Sequence, residues 1–305
     1  MEGPLRGILL LCAASMCFSL SDTTAKYLTG SLPPTEIAWF RYIVFTLVAS
    51  TPMLRGGLAR VRTRRLLHQV ARGLLVVGSA VLFIFALARL PIAQATTISS
   101  ISPLLIVALS APILGETVGW RGWVGVLLGF TGVLIVVRPG TGAFNPASFL
   151  VFGSALCWTA GMLITRRITS TERATTTVFW TAASGLVALT LLLPWDFREP
   201  TWSALGLTFW IGIVSSGGQW LTILAYRHAA ASVLAPLSYL QLIWSTTLGF
   251  LVFHAVPDRW VLVGAVMIAG SGVYTVQRER MRLRRAAPVQ PILIRGTPSD
   301  AIRRT

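Results

Sequence analysis

Apolar residues run along this chain in long blocks, with neither the strict alternation of strands nor the narrow stripes of surface helices. Ten such blocks, at 7–27, 35–53, 70–88, 92–114, 120–137, 147–166, 174–194, 204–225, 232–253 and 259–276, are nearly free of charge. At 1.5 Å per residue, about 20 apolar residues cross the roughly 30 Å hydrocarbon core of a bilayer. The pattern therefore predicts an all-α, polytopic membrane protein of ten transmembrane helices. Pro33-Pro34, Pro91, Pro139-Gly140, Pro194, Pro200 and Pro257 stand at the joints, where breakers belong. The first block follows only Arg6 and runs on to Asp22 and Lys26 without a small-residue cleavage site. It reads as a retained helix rather than a signal peptide.

Charge adds orientation. Of 305 residues 54% are hydrophobic and only 12% charged, about half the charged share of a soluble domain. The net charge of +16 raises the possibility of a nucleic-acid partner, but the basic residues do not form one face. With the amino terminus inside, 20 of the 26 fall on one side, among them Arg60, Arg62, Arg64, Arg65 and the run after Gln277. Five, namely Lys26, Arg89, Arg138, Arg198 and Arg259, fall on the other, and Arg41 lies within a span. This is the positive-inside pattern of a bacterial-type inner membrane protein with both termini cytoplasmic. The expected partners are the lipid bilayer and a small-molecule substrate, with no nucleic acid, and the expected state is a monomer or a homodimer. Residues 278–305, with Pro288, Pro291 and Pro298 among arginines, are expected to be a disordered, basic cytoplasmic tail of the kind anionic lipid attracts.

The chain also repeats itself. A shift of 140 superposes Cys17-Phe18-Ser19 on Cys157-Trp158-Thr159 and Lys26 on Arg166; a shift of 139 superposes Ala86, Ser99 and Gly125 on Ala225, Ser238 and Gly264. The expected halves are 1–140 and 146–277. Five spans is an odd number, so the second half should insert upside down, with a substrate site near the midplane where the two inverted five-helix repeats meet.

Several short motifs recur in a characteristic order: Asp22-Thr23-Thr24-Ala25-Lys26-Tyr27-Leu28, Trp39-Phe40-Arg41, Arg72-Gly73, Pro103-Leu104, Leu114-Gly115-Glu116, Gly129-Phe130-Thr131-Gly132-Val133 and Ala235-Pro236-Leu237-Ser238-Tyr239-Leu240-Gln241. In this they resemble the ten-helix EamA-type members of the drug/metabolite transporter superfamily, and look most like the branch of S-adenosylmethionine and riboflavin carriers. The resemblance implies a secondary transporter, not driven by ATP, that moves a small organic metabolite such as S-adenosylmethionine, riboflavin or an amino acid by alternating access. One departure stands out: family members often carry a Glu closing the ninth span, matching Glu116 after the fourth, and here Ala255 occupies it.

Ionisable groups at membrane depth need a partner or a function. Asp22 and Lys26, four apart on one helix face, are expected to pair, with Arg41 joining them in a charge network; the alternative reading is contact with substrate or with a coupling proton. Arg72 and Glu116, near the inner ends of the third and fourth spans, are read as gate residues, with interfacial anchoring or packing as the plainer roles. Gln219, Tyr239, Gln241 and Trp244 in the second half, Trp158 in the sixth span and Trp39 in the second are the candidate substrate ligands, since mixed polar and aromatic walls suit small organic solutes. Most of the 11 tryptophans are expected to form interfacial belts instead.

No cofactor or metal is expected: Cys12, Cys17 and Cys157 lie in apolar blocks without C-x-x-C spacing and read as small core residues. A P-loop is absent from the sequence, which argues against an ATP-driven pump within this chain. An enzyme such as an acyltransferase finds only His254 near Asp258, interrupted by Pro257, and a structural or regulatory membrane protein is the remaining alternative.

Overall fold

The computed structural model describes residues 2–51, 57, 61–115, 118–168, 172–195, 197–229 and 231–286. Among them every regular element is helical. The helices are α1 (Glu2–Leu28), α2 (Pro34–Ala49), α3 (Leu66–Leu87), α4 (Ile92–Ser99), α5 (Ser102–Leu114), α6 (Trp120–Val137), α7 (Ala147–Ile168), α8 (Ala174–Leu192), α9 (Trp202–His228), α10 (Leu240–Phe253) and α11 (Arg259–Ala286). Taking α4 and α5 as one interrupted rod gives ten spans in the expected order. Seven have the length and apolarity to cross a membrane; Gly122–Val137 and Arg259–Thr275 are shorter apolar helices. Their outer surfaces are apolar, with Leu47, Leu127 and Val266 all strongly exposed. Such surfaces are liabilities in water and are natural ones in lipid.

Local sequence explains the ends. Pro34 opens α2 at a position where its missing N–H costs nothing. Arg138 and His254 take the left-handed conformation, φ 49° and 52°, at the ends of α6 and α10. α11 runs to Ala286, nine residues into the stretch expected to be a disordered tail. That stretch is rich in Arg, with Glu, Met and Leu, all good helix formers. The rest of the expected tail lies outside the described residues.

The fourth and ninth spans are broken. α4 stops at Ser99 and α5 starts at Ser102, because Pro103 has no N–H to give the Ser99 carbonyl; the Ser102 hydroxyl donates to that carbonyl instead, at 2.7 Å. In the ninth span a helical turn, Ala231–Leu234, passes through a 3-10 segment, Ala235–Tyr239, into α10. A shift of 139 carries Ser99–Ser102 onto Ser238–Gln241, so the two breaks sit at corresponding places.

Packing follows the same correspondence. α1 packs on α9 and α7 on α3; α2 packs on α9 and α8 on α3; α1 meets α10 and α7 meets α4 and α5. Exchanging the two halves turns each member of a pair into the other. Of the remaining large contacts, α6 with α11 and α2 with α8 join helices that correspond to each other, and α4 with α10 joins the two broken spans. Two of these run antiparallel. On α6 and α11, Gly125 faces Ser271 and Thr275 while Gly132 faces Gly264, so numbering rises on one helix as it falls on the other. On α2 and α8, Trp39 donates to Thr190 at 2.9 Å and the Tyr42 ring lies on Gly185, the same sense.

At the α6–α11 crossing the backbones of Gly132 and Gly264 leave no room for a side chain, the small-residue packing typical of membranes. Gly264→Leu should therefore lower stability by about 1–3 kcal/mol, read as a lower thermal midpoint in detergent. Gly270→Leu on the same helix, with open space at its Cβ position, should leave the midpoint close to that of the unmodified protein. Equal effects would contradict this packing.

Candidate functional site

Between the halves lies a cavity of ≈ 420 Å³. From the first half it takes Phe18 and Asp22 of α1, Arg41, Tyr42 and Phe45 of α2, Val76, Ser79, Ala80 and Phe83 of α3, and Thr96, Ser99, Ser100, Ser102 and Pro103 at the break of the fourth span. From the second it takes Ser154, Ala155 and Trp158 of α7, Ser215 and Gln219 of α9, and Ser238, Tyr239 and Gln241 at the break of the ninth. Both helix breaks thus face the cavity, and irregular backbone at membrane depth is tolerated where it lines a cavity or is buried in protein.

Six of the residues singled out from the sequence meet on this wall: Asp22, Arg41, Trp158, Gln219, Tyr239 and Gln241. Asp22 accepts a hydrogen bond from Gln241 Nε2 at 3.3 Å, and the Gln241 carbonyl accepts from Ser19 at 3.4 Å. α1 and α10 therefore hold the carboxylate and the amide as one polar unit. Arg41 contributes a positive charge from α2.

The other candidates sit elsewhere. Trp39 ties α2 to α8 through Thr190 and does not line the cavity. Trp244 faces α1, its indole donating to Ser15 at 3.2 Å, and is likewise not on the wall. Arg72 bridges the halves near one end of the bundle: its guanidinium donates to Thr165 at 2.6 Å and to Thr181 on α8, beside a Gln69–Thr177 bond of 3.2 Å. It joins α3 to α7 and α8. Glu116 lies outside the described residues.

The expected Asp22–Lys26 pair does not form. Lys26 Nζ donates to the carbonyls of Leu87, at 2.8 Å, and Leu90, at 2.7 Å, and lies 5.5 Å from the centre of the Phe253 ring. The physical reason is the end of α3: its last carbonyls lack helical donors, carry the negative end of the helix dipole, and precede Pro91, which has no N–H to offer. An ammonium at membrane depth is better satisfied by these fixed acceptors than by a carboxylate already bonded to Gln241. Among the described residues no ion pair joins Asp22 to Lys26 or to Arg41; an ion pair does join Arg138 to Asp258 at 2.6 Å.

What the sequence reading missed is the hydroxyl lining. Thr96 donates to Ile92 O at 2.8 Å, Ser99 and Ser100 to Thr96 O at 2.9 and 2.8 Å, Ser154 to Ser79 O at 2.8 Å and Ser215 to Gly212 O at 3.2 Å. A hydroxyl has one proton and two lone pairs; with the proton committed to the backbone, the oxygen meets the cavity as an acceptor. The signal was available: Ser99-Ser100-Ile101-Ser102-Pro103 places three hydroxyls against a proline within an apolar block.

Because Lys26 and Asp22 have separate partners, their replacements should act independently. Lys26→Met should cost roughly 2–3 kcal/mol, the scale of hydrogen bonds to a charged group. Combining it with Asp22→Asn should show a coupling energy below about 1 kcal/mol. Thermal unfolding of the two single variants and the double variant measures this. Strong rescue in the double variant, as for a broken buried pair worth about 3–5 kcal/mol, would contradict the geometry.

Comparisons with known proteins agree with this architecture. The profile of the EamA-like transporter family matches the chain twice, over residues 5–138 and 145–276. A riboflavin transporter of Rhizobium johnstonii is 32% identical, over 92% of this chain and 94% of its own. An S-adenosylmethionine uptake transporter of Rickettsia prowazekii is 26% identical, over 90% and 94%, and a pseudopaline exporter of Pseudomonas aeruginosa 29%, over 86% and 93%. A solved crystal structure superposes with a TM-score of 0.64 at 19% identity, covering 90% of this chain and 98% of that one, and supports the fold alone. Two matches to one transporter profile, covering nearly all of the ten-span body, make this chain a member of the EamA-like transporter family.

Proposed function

We propose that this protein is a secondary transporter that carries a planar, hydrogen-bond-donating metabolite by alternating access between two inverted halves, and that riboflavin is the substrate to test first. The observation that carries the proposal is the cavity walled by both halves at matching helix breaks. The antiparallel contacts between corresponding helices support inversion, and rocking of inverted halves about a central site is how such folds expose it to each side in turn.

The wall chemistry supports the substrate class. Committed hydroxyl protons and the Asp22 carboxylate leave the cavity rich in acceptors, so a solute bearing several O–H or N–H groups finds partners that an inorganic anion does not. Trp158, Phe18, Phe45 and Phe83 add flat apolar surface for a ring. A tricyclic ring with a polyhydroxyl chain fits both features, and a relative covering nearly the whole chain is a riboflavin transporter. S-adenosylmethionine is the second reading: its ammonium and sulfonium suit Asp22 and its carboxylate suits Arg41. The partition of the basic residues supports a bacterial inner membrane location with both termini cytoplasmic.

Purified protein in proteoliposomes should take up riboflavin with saturation and without ATP. Gln241→Ala or Trp158→Ala should reduce uptake at low substrate about tenfold or more, the effect of about 1.4 kcal/mol of lost binding, while Trp39→Phe should transport normally. S-adenosylmethionine serves as the competing probe. An impermeant thiol reagent should label cysteines placed at Arg64 and Arg198 from opposite faces. Labelling of both from one face contradicts the span count, and flux insensitive to both wall variants contradicts the site.

A further inference from the structure

We propose that Gly272, which does not touch the cavity, sets its size by receiving the end of the Tyr239 ring. The inference rests on the reading of this cavity as the transport site. Tyr239 forms part of the wall at the break of the ninth span. Its hydroxyl oxygen is buried without a hydrogen-bond partner, although a buried phenol ordinarily finds one. A Cβ added at Gly272 on α11 would fall on that hydroxyl and on the adjoining ring carbons. The ring is therefore held by shape alone: the absent side chain of Gly272 is the slot into which its tip fits, and no polar contact fixes it there.

The residues corresponding to this pair in the first half reverse the sizes. A shift of 139 carries Tyr239 back to Ser100 and Gly272 back to Val133. In the first half the cavity residue is the small Ser100 and the corresponding helix residue is the larger, buried Val133; in the second the cavity residue is a tyrosine and the helix residue is glycine. Interiors packed at crystal density transmit such changes to the nearest free volume, and for Tyr239 that volume is the cavity. A methyl group at position 272 displaces the ring inward and narrows the space for substrate. Position 272 is thus a specificity-determining position that acts through Tyr239, excluding larger solutes when it is anything but glycine.

The test reads cavity size without a substrate. In a protein carrying Cys12→Ala, Cys17→Ala and Cys157→Ala, a reporter Ser99→Cys on the part of the wall contributed by the first half is modified in detergent by a small aminoethyl methanethiosulfonate and by a bulky aromatic one. Adding Gly272→Ala should slow the bulky reagent about tenfold relative to the small one. Adding Tyr239→Ala to that variant should restore the ratio. If Gly272→Ala does not fold, Tyr239→Ala alone should raise the ratio above that of the parent. A ratio unchanged by Gly272→Ala, a loss that Tyr239→Ala does not relieve, or an unchanged ratio in Tyr239→Ala alone overturns the proposal. Absence of riboflavin transport would leave all these measurements intact, so a failure of the substrate assignment is distinguishable from a failure of this one.

Discussion

Within a bilayer every backbone donor and acceptor has to find its partner inside the protein, and this requirement organises the whole molecule. It makes each span a helix and makes any interruption expensive. The protein interrupts two spans and meets the cost locally. The Ser99 carbonyl, deprived of a donor by Pro103, takes the Ser102 hydroxyl; at the joint after α3, the Leu87 carbonyl that ends the helix and the Leu90 carbonyl before Pro91 take the Lys26 ammonium. The breaks are affordable where they face the cavity, and the same breaks bring hydroxyls, a tyrosine and a glutamine to its wall.

The second organising fact is that the contacts of one half repeat in the other. α1 on α9 is answered by α7 on α3, and corresponding helices meet each other at α6–α11 and α2–α8. A pair of five-span units packed this way buries its polar residues on the shared surface and leaves Leu127, Val266 and their neighbours to lipid. Cross-half polar links lie at both ends of the bundle: Glu36 with the backbone of Arg198 and Arg138 with Asp258 at one, Arg72 with Thr165 and Thr181 and Trp180 with Val61 at the other. An alternating mechanism has to break one set while keeping the other, so these links are the natural places for its energy barriers.

The ten spans were legible because hydropathy over about 20 residues is a strong local signal. Gln219, Tyr239, Gln241 and Trp158 were legible because polar or aromatic groups stand out within apolar blocks. Lys26 was misjudged because its true partners are carbonyls 61 and 64 residues away, and a helix end supplies no residue type to look for. Trp39 and Trp244 share the composition of a ligand but spend their indole N–H groups on Thr190 and Ser15, a choice made by helix rotation. The serines of the fourth span were overlooked because hydroxyls are common in membrane helices as packing residues; only the fold gathers them around one space. The helical continuation to Ala286 was hidden by charge, which lowers hydropathy while leaving helix propensity high.

The central claim is that one cavity, formed between antiparallel halves, opens to both sides of the membrane. Its most direct measurement is the reaction of a single cysteine, Ser100→Cys in a background without native thiols, with an impermeant thiol reagent in proteoliposomes of uniform orientation. The account predicts modification from either face, slowed from both when riboflavin occupies the cavity. Modification from one face alone under all conditions, or no protection from either face by riboflavin or S-adenosylmethionine, would contradict it.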